Sequence, residues 1–215
     1  MTYTRIGALA LATLFAAAAC TPAGGAPGAS IGIASTPVPG STAPATTDAP
    51  GSGAPKSSAT PAAAVGMTQS WATASLTDVT TGESISIAGL VASGQVVFVE
   101  PMAIWCSNCR RQQADAVRAL GQLDRTKVTW LSLDIELSET PDALADYSRQ
   151  QGFDFRFAVA SKDIATALAA EFGDLVLSPP STPIIVIGTD GVIELTSFGH
   201  KSIDEIIALA RARGA

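Results

Sequence analysis

The stretch Val96-Val97-Phe98-Val99-Glu100-Pro101-Met102-Ala103-Ile104-Trp105-Cys106-Ser107-Asn108-Cys109 leaves this chain few ways to fold. Its near-continuous apolar start, Val96–Glu100, predicts a strand covered on both faces. From Asn108 to about Leu123, Ala114, Val117, Leu120 and Leu123 fall at helical spacing, with Gly121 near the end. The turn between strand and helix is Trp-Cys-x-x-Cys, and such a pair beside a βαβ pattern is the sequence form of a dithiol redox site. Two thiols three residues apart at a helix start can close a disulfide. The first of them sits where free N–H groups and the helix dipole favour a thiolate. Only the thiolate attacks a disulfide, so Cys106 is expected to be the exposed nucleophile and Cys109 the resolving thiol.

Two other uses of the pair are weaker. A four-residue loop gains little chain-entropy stabilisation from a purely structural bridge. Zinc usually takes four ligands, and the chain offers this pair and its one histidine, His200. The net charge of −6 comes with no basic patch or lysine run, which argues against nucleic acid as a partner.

Around the central stretch, Trp71–Leu76 and Ser84–Ile87 alternate as strands about a turn at Thr81-Gly82. Lys127–Leu133 and Phe155–Val159 read as strands, and Lys162–Phe172 as an alanine-rich helix. Pro141–Gln151 has helix punctuation at both ends, with Thr140 as N-cap, Pro141 in the first position and Gly152 just beyond. Pro183–Gly188 and Val192–Phe198 form a hairpin around Asp190-Gly191. Ser202–Arg213 is an amphipathic closing helix. A parallel pair with a crossover helix, then a hairpin and a helix, predicts a three-layer α/β/α sandwich with an N-terminal β extension over residues 67–215.

The first 66 residues are of another kind. Arg5 precedes an apolar run of about 14 residues, Ile6 to Ala19, short of the roughly 18 needed to span a membrane. Residues 1–19 fit a secretory signal peptide. Ala18-Ala19-Cys20 resembles the core of a bacterial lipobox, with Ala17 where leucine is common, and the resemblance implies cleavage before Cys20 and lipid attachment to its sulfur. The alternative is ordinary secretion with Cys20 a spare thiol. Thr21 to Gly66 is built of Ala, Pro, Gly, Ser and Thr, with Asp48 and Lys56 its only charges, and is expected to be a disordered tether. As a flexible coil it reaches roughly 40 Å.

The order of elements around Trp105-Cys106-Ser107-Asn108-Cys109 resembles the thioredoxin fold, and the N-terminal strand pair and the segment 134–172 resemble its membrane-tethered TlpA/ResA branch. The resemblance covers about residues 68–213 and implies a dithiol that is itself the redox group, with no separate cofactor. Glu100, six residues before Cys106, falls where thioredoxins carry a buried acid that helps move the resolving cysteine's proton. Ser181-Thr182-Pro183 matches the loop whose cis-proline faces the dithiol, and the family's residue before that proline pairs its backbone with substrate. Thr182 and Pro183, with Trp105 as a flanking surface, are therefore the implied substrate-binding residues. Three departures stand out: Asn108 replaces the usual proline, Pro101-Met102 replace an aromatic pair and should end or kink the strand, and Gln112 stands where many relatives have glutamate.

The resemblance implies an extracytoplasmic, lipid-anchored thiol–disulfide oxidoreductase. It would act as a monomer on exported protein thiols and disulfides, including the cytochrome c maturation type, with electrons from a membrane donor such as a CcdA/DsbD-type protein. A copper-binding module is the competing expectation. Thiolates suit Cu(I), and Ser132-Leu133-Asp134 with Ser138-Glu139-Thr140-Pro141 resembles the Sco relatives, with His200 as third ligand. Those relatives space their cysteines by three residues rather than two. The chain has no Thr-x-x-Cys motif of a peroxidase.

Overall fold

The computed structural model describes residues 66–215. The signal, Cys20 and nearly all of the tether lie outside the described residues, among which no helix is long and apolar enough to cross a membrane.

The N-terminal extension is only partly β. Ser70–Thr73 is a single helical turn (α1), where a strand was expected. Trp71 and Ala72 are consecutive and both buried, which one face of a strand cannot supply. The strand pair shrinks to β1 (Leu76–Thr77) and β2 (Ser84–Ile85), antiparallel, with Leu76 opposite Ile85. Ile87, expected to end β2, instead opens α2 (Ile87–Ala92), because Ser86 caps it by accepting from Gly89 N–H at 3.0 Å.

The main sheet has the order β5-β4-β3-β6-β7. β3 (Val96–Met102), β4 (Val128–Asp134) and β5 (Arg156–Val159) are parallel, whereas β6 (Ile185–Ile187) and β7 (Ile193–Leu195) add antiparallel. The helices are α3 (Ser107–Leu120), α4 (Pro141–Gln151), α5 (Lys162–Phe172) and α6 (Ile203–Ala212). Two 3-10 turns, Asp174–Leu177 and Pro179–Ser181, lie between α5 and β6. Residues Val96, Phe98 and Met102 of β3 pack toward α3, α4 and α6, and Val97 and Val99 toward α1, α2 and α5.

Pro101 neither ends nor kinks β3, which stays paired with β4 through Met102 opposite Asp134. Alternate residues of β3 bond to alternate neighbours: Val96 N–H donates to Lys127 O, and Met102 O accepts from Ile135 N–H, both on the β4 side. Pro101 therefore faces the β6 side, where pairing has already stopped at Val99 opposite Ile185, so its missing N–H is not needed.

Candidate active site

At the C-terminal end of β3 the chain turns through Ala103–Trp105 into α3. Cys106 is the N-cap, and its Sγ accepts from Cys109 N–H at 3.1 Å. The two cysteines are joined by a disulfide, with Cα atoms 5.3 Å apart, inside the range such bridges span. The expected exposure of Cys106 is not found: 1% of its surface is accessible, and Cys109 has none. A sulfur that caps its own helix turns inward, and here it is also bonded to a residue on the buried face of α3.

The two sulfurs lie among opposite partial charges. Cys106 Sγ meets an N–H group at a helix N-terminus, which favours negative charge. Cys109 Sγ lies 3.2 Å from the carbonyl oxygen of Pro179, to which a thiol donates and by which a thiolate is repelled. The site is thus arranged for a thiolate at 106 and a thiol at 109 once the bridge is opened.

The wall opposite the disulfide is the Pro179–Ser181 turn. Asn108 Nδ2 donates to Pro180 O at 2.8 Å, and Arg111 in turn donates to Asn108 Oδ1 at 2.6 Å. The residue that departs from the usual proline therefore ties α3 to this wall. The Thr182–Pro183 bond is trans, not the expected cis. Thr182 makes the reversal itself, at φ +45° and ψ 59°, the left-handed conformation that a β-branched residue rarely takes. Thr182 N–H is already used internally, donating to Pro179 O at 2.9 Å, and both Thr182 and Pro183 are buried. Sequence reasoning missed Pro179 and Pro180; the signal available was their position directly before Ser181-Thr182-Pro183.

Glu100 lies between Phe98 and Met102 along β3, on the face toward α3. It is fully buried. Its Oε2 accepts three hydrogen bonds: from Ser132 Oγ at 2.8 Å, Gln113 Nε2 at 3.1 Å and Trp130 Nε1 at 3.2 Å. Oε1 has none. Burial pushes the carboxyl up to about 7, against the pull of those three donors. With every donor on one oxygen, the proton belongs on the other. Gln113 follows Cys109 by four residues on the same buried face of α3, about 6 Å of helix rise, so Glu100 is hydrogen-bonded to a side chain about one turn from Cys109.

Trp105 is 56% exposed and lines a groove beside the pair with Ile135, Glu136, Leu177, Pro179 and Pro180. The turn carrying it is held by Ile104 N–H, which donates to Glu139 Oε2 at 2.9 Å. Next to Glu139, the buried Asp134 titrates well above the usual carboxylate range, chiefly through burial and then through Glu139 and Glu136. Gln112 clamps backbone: its Oε1 accepts from Lys201 N–H at 2.6 Å and its Nε2 donates to Lys201 O at 3.0 Å. His200 is not brought to the thiols. Its Nε2 lies 2.8 Å from Asp115 Oδ2, six residues and about 9 Å of helix beyond Cys109. Among the described residues no group of three or more His, Cys, Asp or Glu is arranged to hold a metal ion.

No family model matches the chain, and no curated protein matches it. Solved structures do. A thiol:disulfide interchange protein of the thioredoxin family from Chlorobium tepidum TLS is 18% identical over 66% of this chain and 93% of its own, with a TM-score of 0.53. The MTB protein DsbF, captured in mixed oxidized and reduced forms, is 16% identical over 66% of this chain and 96% of its own, with a TM-score of 0.51. A secreted Mycobacterium tuberculosis disulfide oxidoreductase homologous to E. coli DsbE is 14% identical over 66% of this chain and 97% of its own, with a TM-score of 0.51. At these identities the likeness is one of fold, and the expected thioredoxin-like architecture is the one observed.

Proposed function

We propose that the chain is a thiol–disulfide oxidoreductase of the cell envelope that reduces disulfides of exported proteins. The observation carrying this reading is the opposed surroundings of the two sulfurs, an N–H group on Cys106 and a carbonyl oxygen on Cys109. In the reduced protein the Cys106 thiolate attacks a substrate disulfide. One substrate sulfur leaves with the electron pair and takes a proton from solvent, and a mixed disulfide remains. Cys109 then gives its proton to Glu100 and attacks Cys106 Sγ. The Cys106–Cys109 bond forms as the bond to substrate breaks, and the second substrate sulfur leaves and is protonated by solvent. The substrate ends reduced and the protein oxidised. The dithiol is the only redox group required.

Trp105 and the groove beside it would hold an extended segment of substrate, with Thr182 and Pro183 shaping the turn behind the pair. A signal peptide, lipidation at Cys20 and the 20–66 tether would keep a monomeric domain near the membrane. There a CcdA/DsbD-type donor would return electrons, since thiols outside the cytosol tend to oxidise. The secreted Mycobacterium tuberculosis neighbour supports this placement. A cytochrome c maturation role is the substrate class we favour. A reduction potential well below about −200 mV supports the reducing direction, and one near −120 mV reverses it. The decisive assay is insulin reduction by the wild type against Cys106→Ser. The variant is expected to be inactive, and equal activity of the two proteins would end the assignment.

A further inference from the structure

Helix α4 supplies one side chain to the acid cluster. Tyr147 donates its O–H to Gln113 Oε1 at 2.6 Å, and Gln113 Nε2 donates in turn to Glu100 Oε2 at 3.1 Å and to Ser132 Oγ at 3.2 Å. We propose that Tyr147 and Gln113 are positioning residues that fix which oxygen of Glu100 carries the proton exchanged with Cys109. The proposal rests on the oxidoreductase reading above and adds two residues, one from a separate helix, to its resolving step.

An amide has a donor end and an acceptor end, so its direction matters. As found, the NH2 group faces Glu100 and the carbonyl faces Tyr147. Turned around, Gln113 would set an oxygen against Oε2, which is tolerable only if the proton sits on Oε2 and is bound there. The Tyr147 O–H selects the first arrangement by offering a hydrogen to Oε1 of the amide. All donors then converge on Glu100 Oε2, and the unpartnered Oε1 is left to take and release a proton. Tyr147 is held for this by edge-on contacts with Phe153 and Phe157, with centroids 6.0 and 6.1 Å away. Burial, with the nearby Glu100 charge adding to it, raises its hydroxyl to about 12, so it remains a donor throughout. The other titratable groups around the cluster are Cys109 and Arg110 on α3 and Glu139 before α4; Arg110 and Glu139 act on Tyr147. None of them is a hydrogen-bond partner of Glu100.

The test separates the two chemical steps. Full chain, with Cys20→Ser in every variant so that only the pair reports, is reduced and mixed with a chromogenic aryl disulfide. The first aryl thiolate released reports attack by Cys106, and the second reports resolution by Cys109. Tyr147→Phe is expected to slow the second phase about five-fold, the loss of one hydrogen bond, and to leave the first unchanged. Its second-phase pH profile, followed from about pH 5 to about pH 9, is expected to shift from the wild-type midpoint. In a Glu100→Gln background Tyr147→Phe should cost nothing further, a coupling that a merely structural role would not produce. Gln113→Met, close in shape, should reproduce the effect if the tyrosine variant folds poorly. Equal slowing by Tyr147→Phe with and without Glu100 overturns the proposal. A resolving step unchanged by Glu100→Gln also overturns it, yet leaves the oxidoreductase reading standing as long as Cys106→Ser is inactive.

Discussion

Glu100 and Asp134 are both fully buried, and neither accepts a hydrogen bond from a cationic side chain. Each titrates well above the ordinary carboxylate range, so each makes the fold sensitive to pH in a definite direction. For Glu100 the unfolded chain has an ordinary value near 4.5 and the folded one about 7. Between these the native state holds a proton that the unfolded state has released, so stability falls as pH rises through that window. The full effect, on the order of 3 kcal/mol, is reached above the folded value. Glu100→Gln should flatten the slope of unfolding free energy against pH between about 4.5 and 7, measured by denaturant titration, and leave a residual decline from Asp134. The slope is the observable, because the new amide would also bury an unpartnered N–H group at a cost of about 1–3 kcal/mol whatever the pH. An unchanged slope would mean that Glu100 loses its proton at the same pH in the folded protein as in the unfolded chain.

Elements whose ends carry their own chemistry were legible before the structure. Thr140 caps α4 through Ala143 N–H at 3.2 Å, Pro141 occupies its first turn, and Gly152 takes the left-handed conformation at φ +70°. Ser202, where α6 was expected to begin, is its N-cap, although the capping box it closes with Glu205 was not read from the sequence. The missed features are those that only tertiary packing decides. The α1 turn exists because Trp71 and Ala72 meet α5, where the Trp71 indole N–H donates to Glu171. Pro101 is tolerated because β6 is short. The site was legible as a Cys pair with an acid six residues before it. Its burial was not, because the wall that covers it comes from a proline-rich loop some 70 positions away in the chain. That wall makes Asn108 a prediction. Asn108→Ala removes the bond to Pro180 O, worth about 1 kcal/mol, and loosens the turn over the disulfide. Reduction of the oxidised protein by dithiothreitol should quicken about five-fold, with little change in secondary structure. A rate equal to wild type would show that the 179–181 turn does not control access.

Across the whole molecule, the sheet separates two cores with different work. The face toward α3, α4 and α6 contains both cysteines, Tyr147 and the aromatic stack of Phe98 on Trp130, with centroids 5.3 Å apart. The face toward α1, α2 and α5 is aliphatic around Trp71, Ile87 and Leu168 and includes the start of the domain. The chain therefore begins its fold on the side away from the chemistry. Trp71, 1% exposed and edge-on to Phe172 at 5.8 Å, fastens that beginning to α5. Trp71→Ala should cost about 3–5 kcal/mol, since the cavity is large and only partly closes. For a chain of this size that is a fall in Tm of about 10 °C. Below the new melting range the rates of both thiol steps should match wild type, because the hydrogen-bond partners of the two sulfurs, Cys109 N–H and Pro179 O, lie outside the core that loses its anchor. Scanning calorimetry with the two-phase thiol assay on the same sample checks both halves. A large change in the resolving rate at full folding would show instead that the sheet carries strain from one core to the other, and that the site is tuned from behind.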